Sequence, residues 1–467
     1  MSLLDIGAIA GVQKGNYFST VDDSGSYINQ SIRVIDSTGE FYIYVSYSKI
    51  LSKHNVDGKV LWQKYIPSDD QFRMMYLLPG GDLLFAGHYS TFYTQGTIAR
   101  FNPNSDTFSW YKRFSIGYKV ADWSLRFAFD STETYGYLAF NRQEDNGDPN
   151  TDAHHANISR INLSNGTMVW SKEVIAPSGL RAYVTNIRTD SSGNLYFGGY
   201  YKSSTDGNYR GMVIKLNSSG TTLWQRELAR TNTAQYTDWF FVEDIALDSS
   251  NNIQIAGIYR YDGQPVFGNA AYYTTITSAG TAGSQYGILP SPLASINFPT
   301  YLQTGYIESD GTNAYLRFYG IFDYNRGTDY HGTFIKINNN SIAFSKVAFF
   351  GDSITSGFSG PDAHVVDSAR SRMFFNLYRY LSTAPGPETV TTIVPLSGNP
   401  PILRIQPRSQ KVNYEDVSAQ LVTPPVTVSS GTATIRNITE SYTFTDISAS
   451  AVESRNYNQF LRRYNAS

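Results

Sequence analysis

From Val184 to Leu228 the chain alternates four short apolar runs with polar turns: VTNIRTD, the turn SSGN, LYFGGYY, a loop, GMVIKLN, the turn SSG, and TTLWQREL. Apolar runs of that length bounded by Gly, Ser and Asn predict consecutive antiparallel strands joined by tight turns. The first run and its turn recur as IRVIDSTGEFYIYV, LRFAFDSTETYGYL, IALDSSNNIQIAGI and YIESDGTNAYLRFY, with MMYLLPGGDLLFAG and VVDSARSRMFFNLY as weaker copies. The series is anchored near Asp36, Pro79, Asp130, Asp190, Asp248, Asp310 and Asp367, at spacings of 43 to 62 residues. Units of that length hold four strands, and seven of them close into a ring. The prediction is an all-β fold: a β-propeller of seven four-stranded blades over residues 31–408, with a β-rich C-terminal extension at 409–467. Six or eight blades stay open, because the fifth unit lacks the marker described next and the seventh shows mainly its first two strands.

That marker lies in the fourth run, where a turn residue is followed four positions later by Trp and two further on by Lys or Arg. It recurs as Gly58-Trp62-Lys64, Asp106-Trp110-Lys112, Gly166-Trp170-Lys172 and Gly220-Trp224-Arg226, with Phe344 and Lys346 as a degraded copy. Residues two apart on a strand share a face, so the ring and the cation stand side by side. The spacing predicts a Trp packed on the next unit and a cation reaching outward to water.

Residues 1–30 read as an arm that either closes the ring or contacts a partner. After Arg408, runs such as ATIRNI and SYTFTDI read as further strands, which would be aggregation-prone if left bare. The extension is expected to dock on the chain's own propeller or on a neighbouring subunit, making the termini the contacts to other assembly proteins.

Composition narrows the function classes. With 467 residues the chain exceeds what one hydrophobic core holds, which a ring of repeats resolves. Charged residues are 16% of the chain and the net charge is -2, so nucleic acid is not an expected partner. Cysteine is absent, which removes disulfides and thiolate chemistry. No run approaches the roughly 20 apolar residues of a membrane span, and the start lacks a basic, then apolar, signal pattern, so neither membrane insertion nor export is expected.

Turns joining strands one to two and three to four are short and uniform, whereas the other connections are long and dissimilar, so binding is expected on the long-loop face. Trp123, Tyr236, Trp239, Tyr261 and Tyr324 fall there, beside carboxylates, and suit a surface glycan or a protein receptor. The plain reading of Trp123 and Trp239 is that they fill gaps between blades. Asp148, Asn150 and Asp152 alternate as at the start of a calcium loop, but Ala153 stands where such a loop needs Gly, so a solvated acidic turn is the stronger reading and no cofactor is required.

The run IKLNSSGTTLW resembles the repeat of pyrroloquinoline-quinone-type propellers. That resemblance implies the ring architecture; the family's calcium ligands and central catalytic Asp have no counterparts placed in this sequence. The block Phe350-Gly351-Asp352-Ser353-Ile354-Thr355-Ser356-Gly357 resembles the first block of GDSL hydrolases, but the other blocks that would activate Ser353 are missing. Cysteine-free, polar, Tyr-rich and flanked by strand-forming arms, the chain also resembles tail, baseplate and fibre proteins of bacteriophage particles. The expectation is therefore a non-catalytic structural and adhesive propeller of a virion, assembled in the host cytoplasm. The alternatives are a carbohydrate-active or quinone-dependent propeller enzyme, and a host lectin or scaffold.

Overall fold

The computed structural model describes strands between Asn16 and Asn465 with the tight turns that join them, and side chains within those elements from residue 36 to residue 343. The strands form seven antiparallel sheets, and no helix occurs among the described residues. The fold is an all-β propeller of seven blades.

Six blades are built from consecutive strands. Blade one runs from Ser31–Ile35 to Val60–Tyr65, blade two from Asp70–Leu77 to Thr107–Ser115, and blade three from Arg126–Phe129 to Met168–Ile175. Blade four runs from Ala182–Thr189 to Thr222–Arg230, blade five from Phe240–Leu247 to Ala282–Ser291, and blade six from Leu302–Ser309 to Ser341–Phe350. Blade seven has three consecutive strands, from His364–Asp367 to Glu388–Pro395, and takes Asn16–Thr20 as its fourth. First strands pack on one another between blades one and two, from blade three through to blade seven, and between blades seven and one.

Beyond residue 408 the chain adds one more strand to the outer edge of every blade, in descending order. Gln410–Asp416 pairs with blade six, Ser418–Val422 with five, Val426–Ser430 with four, and Thr434–Asn437 with three. Thr443–Asp446 pairs with blade two, Glu453–Ser454 with one, and Leu461–Asn465 with Asn16–Thr20 of blade seven. Edges that would otherwise template pairing with other chains are thereby covered. In five blades the last tail residue stands opposite the basic residue of the Trp marker or its degraded copy: Asp416 and Lys346, Ser430 and Arg226, Asn437 and Lys172, Asp446 and Lys112, Ser454 and Lys64.

The core is divided among the blade interfaces. One cluster joins Phe127, Leu138 and Phe140 of blade three to Leu84, Ile98 and Phe114 of blade two. Another joins Val213 and Leu228 of blade four to Val242, Ile245 and Tyr272 of blade five. Among the described residues each of the five interfaces from blade one to blade six buries its own apolar set, which is how one chain of this length avoids needing one oversized core.

Trp62, Trp110, Trp170 and Trp224 all lie on the fourth strand of their blades, and three of them visibly bridge to the next blade. The indole N–H of Trp110 donates to the Leu163 carbonyl at 2.7 Å, that of Trp170 to Ser218 at 3.1 Å, and that of Trp224 to Ser278 at 3.1 Å. Each acceptor belongs to the turn between strands three and four of the following blade. Turn glycines there leave room for the ring: Gly166 has φ 70°, and a Cβ added to it would stand 2.8 Å from Trp110. The basic partner does not reach outward to water as its spacing predicts. Lys64 donates to the Pro103 carbonyl at 2.6 Å and pairs with Asp106, and Lys64 and Lys112 are each only 8% exposed. The turn of the next blade lies across the interface and offers carbonyl and carboxylate oxygens that strand parity alone does not reveal.

Candidate functional site

The axis-lining strands carry the least expected chemistry. In FFVEDIAL of blade five, two adjacent carboxylates interrupt an apolar strand. The pairing register breaks between Val242 and Asp244, leaving Glu243 as the extra residue of a bulge, and it breaks at the same position around Arg73 in blade two and Thr185 in blade four. Bulges re-aim side chains and recur beside active sites.

The two acids are held differently. Asp244 accepts hydrogen bonds from the backbone N–H of Ile245 at 2.7 Å and of Ile307 at 3.0 Å, from the Asn186 amide, and from Arg188 at 3.4 Å. It therefore ties blades four, five and six together. Burial raises its carboxyl above the usual range, against the pull of Arg188. Glu243 is half-buried and makes no hydrogen bond among the described residues. Burial pushes its carboxyl up to about 8, Arg126 of blade three opposes the shift and Asp244 adds to it. At neutral pH the Glu243 side chain holds its proton, the state required of a general acid.

Trp239, bridged to Tyr209 just before the strand Phe240–Leu247, and Phe241 on that strand enter an aromatic cluster shared with blade four. Trp239 meets Tyr209 at 5.5 Å and Phe241 at 5.9 Å, both edge to face. Phe241 meets Tyr200 at 4.5 Å, and Tyr200 stacks on Tyr183 at 4.8 Å. All five rings lie where strands begin or end on the long-loop side, and all are half-buried. Burial raises the Tyr200 hydroxyl and the charge of Glu243 raises it further, while burial takes Tyr183 up to about 12. Cluster and acid thus share one electrostatic neighbourhood at the interface of blades four and five.

The chain is similar to solved propeller enzymes. Virginiamycin B lyase from Staphylococcus aureus, crystallised as an inactive variant with quinupristin, superposes with a TM-score of 0.45 at 14% identity, over 82% of this chain and 100% of that one. Polysaccharide lyase Uly1 gives 0.45 at 9% identity over 80% and 91%. The α-L-arabinanase of Penicillium chrysogenum gives 0.39 at 12% over 69% and 92%. No protein-family model matches the chain, and no curated protein matches its sequence. At these identities the likeness reaches the fold alone. These three neighbours are enzymes and none of them is a virion component, so the expectation of a non-catalytic phage propeller finds no support among them. The quinoprotein resemblance likewise extends no further than ring architecture.

Of the aromatic residues that the sequence points to, Trp239 lies in the cluster and Tyr261 ends the strand Ile253–Tyr261. Trp123, Tyr236 and Tyr324 lie outside the described residues, as do Asp148, Asn150, Asp152 and Ser353. Among the described residues no group of three or more His, Asp or Glu is placed to hold a metal, and no helix is long and apolar enough to cross a membrane. Glu243, Arg126 and the tyrosines of blade four escape the sequence reading. The signal for the first was an acidic pair inside an otherwise apolar inner strand.

Proposed function

We propose that this protein is a carbohydrate-active enzyme whose sugar site is the long-loop end of the interface between blades four and five. The observation that carries this reading is that Glu243, on the strand Phe240–Leu247 with Phe241, acts on Tyr200 of the five-ring cluster that Trp239 joins just before that strand, so that an aromatic surface adjoins a carboxyl without a hydrogen-bond partner among the described residues. Rigid aromatic faces suit the C–H faces of sugar rings. A neutral carboxylic acid beside them donates its proton to the departing glycosidic oxygen as the C–O bond breaks, the bonding pair staying on that oxygen, while water adds to the anomeric carbon and gives up its proton to solvent, leaving a new reducing end. Arg126 then stabilises the carboxylate that this step leaves behind. Asp244, engaged by donors from three blades, holds the strand rather than reacting.

The test is release of reducing ends from a panel of soluble polysaccharides by the full chain. Glu243→Gln is expected to lower kcat by about 10²- to 10⁴-fold with little change in KM, and Trp239→Ala to raise KM. Cleavage by Glu243→Gln at the wild-type rate, or failure of every polysaccharide to bind, would overturn the reading.

A further inference from the structure

We propose that the tail is a strap that zips onto a ring already formed, starting at blade six and locking the ring's closure at blade seven. The starting point is, among the described strands, the one tail contact that is local in sequence. Leu403–Ile405 folds back on Gln410–Asp416 with Leu403 opposite Val412 and Ile405 opposite Gln410, while Gln410–Asp416 also pairs with Ser341–Phe350. Every later strand must find a partner progressively farther away in sequence, so its loop-closure cost falls only once the preceding strand has docked.

The individual strands are too short to hold alone. Glu453–Ser454 has two residues, Thr434–Asn437 and Thr443–Asp446 have four each, and Leu461–Asn465 has five. Isolated strand pairs of this size are marginal in water. Joined in one chain, each docked strand presents the next at high effective concentration, so the strap is held by multivalency rather than by any one contact.

The last strand lands on the strand that closes the ring. Asn16–Thr20 is paired on one side with Glu388–Pro395, Tyr17 opposite Thr392, and on the other with Leu461–Asn465, Tyr17 opposite Tyr464. Without the strap the closing strand becomes an outer edge held from one side. With it, the closing strand is an interior strand of a five-stranded sheet.

The test places a specific protease site in the connection 438–442 of the full chain, cuts the folded protein and follows amide exchange. Release of the fragment that begins after the cut, with exchange in residues 16–20 accelerated at least 10-fold and blades three to six unchanged, is the expected result. Retention of the fragment with unchanged exchange would show that the distal strands do not depend on the tether. Release without faster exchange at 16–20 would remove the lock, and loss of protection throughout the ring would show that the ring does not stand without its strap. A second, uncut variant, Tyr464→Pro, removes one backbone donor from the final strand and is expected to loosen residues 16–20 alone; equal loosening in blades one to six would also overturn the proposal.

Discussion

Trp110 and Gly166 meet across the interface of blades two and three, and their coupling can be worked out from the geometry. Trp110→Ala removes a ring that is 6% exposed and its 2.7 Å hydrogen bond to Leu163. Truncating a buried Trp costs about 3–5 kcal/mol, of which the hydrogen bond is about 1. The Leu163 carbonyl keeps a donor in Arg100 at 3.2 Å, so no full orphan penalty is added. Gly166→Ala carries two main costs: an L residue forced to φ 70°, and a Cβ 2.8 Å from a rigid ring, with the flexible Lys112 side chain at 3.1 Å able to give way. Gly81→Ala isolates the first cost, because Gly81 has φ 91° and nothing within 4 Å of an added Cβ; about 1–2 kcal/mol is expected there. Gly166→Ala should exceed Gly81→Ala, and the excess should vanish in the Trp110→Ala background. Urea unfolding followed by far-ultraviolet circular dichroism on both single variants and the double variant measures the coupling. Additivity within about 0.5 kcal/mol would refute the claim that the glycine exists to seat the ring.

The Glu243 carboxyl has a folded-state pKa raised well above that of the unfolded chain, so the stability it contributes is complete below the unfolded value and is lost as pH rises through about 8. Melting temperatures between pH 5 and pH 9 should therefore fall more steeply for the wild type than for Glu243→Gln, and parallel curves would contradict the assignment. Asp244→Ala strips the acceptor shared by Asn186, Arg188, Ile245 and Ile307 and should destabilise the ring by about 3–5 kcal/mol. A loss below 1 kcal/mol in urea would show that the contacts around it do not bind blades four, five and six together.

How far the sequence could be read depended on whether a feature lay within a blade or between blades. Trp62, Trp110, Trp170 and Trp224 announced the fourth strand because their turn-to-Trp spacing is a local property. The carbonyls that Trp110, Trp170 and Trp224 bond belong to the next blade, some 50 residues on by sequence, and strand parity cannot name what stands across an interface. The buried Lys64 was misjudged for the same reason. Trp239 was visible as an aromatic beside a carboxylate, but Tyr183, Tyr200 and Tyr209 look like ordinary strand residues until blades four and five meet. The tail runs were recognisable as strands; which of two termini closed the ring was not, because Asn16–Thr20 pairs with residues near the opposite end of the sequence. Repeats specify architecture and leave chemistry unspecified, so the expectation of a non-enzyme rested on missing motifs alone, such as the blocks that would activate Ser353, and not on anything the repeats themselves require.

The tail visits the blades in the reverse of the order in which the chain builds them, from six down to one, before it reaches seven. Ring and tail are therefore nested, like the two halves of a palindrome. A repeat protein usually grows by duplicating one unit in tandem, but here a duplicated blade would arrive with its outer edge bare. Covering it would require a second insertion, at the mirror position in the tail, with the register that ends opposite the new basic residue. Neither insertion is useful without the other, so the strap fixes the number of blades across evolutionary time as firmly as packing fixes it in the folded molecule.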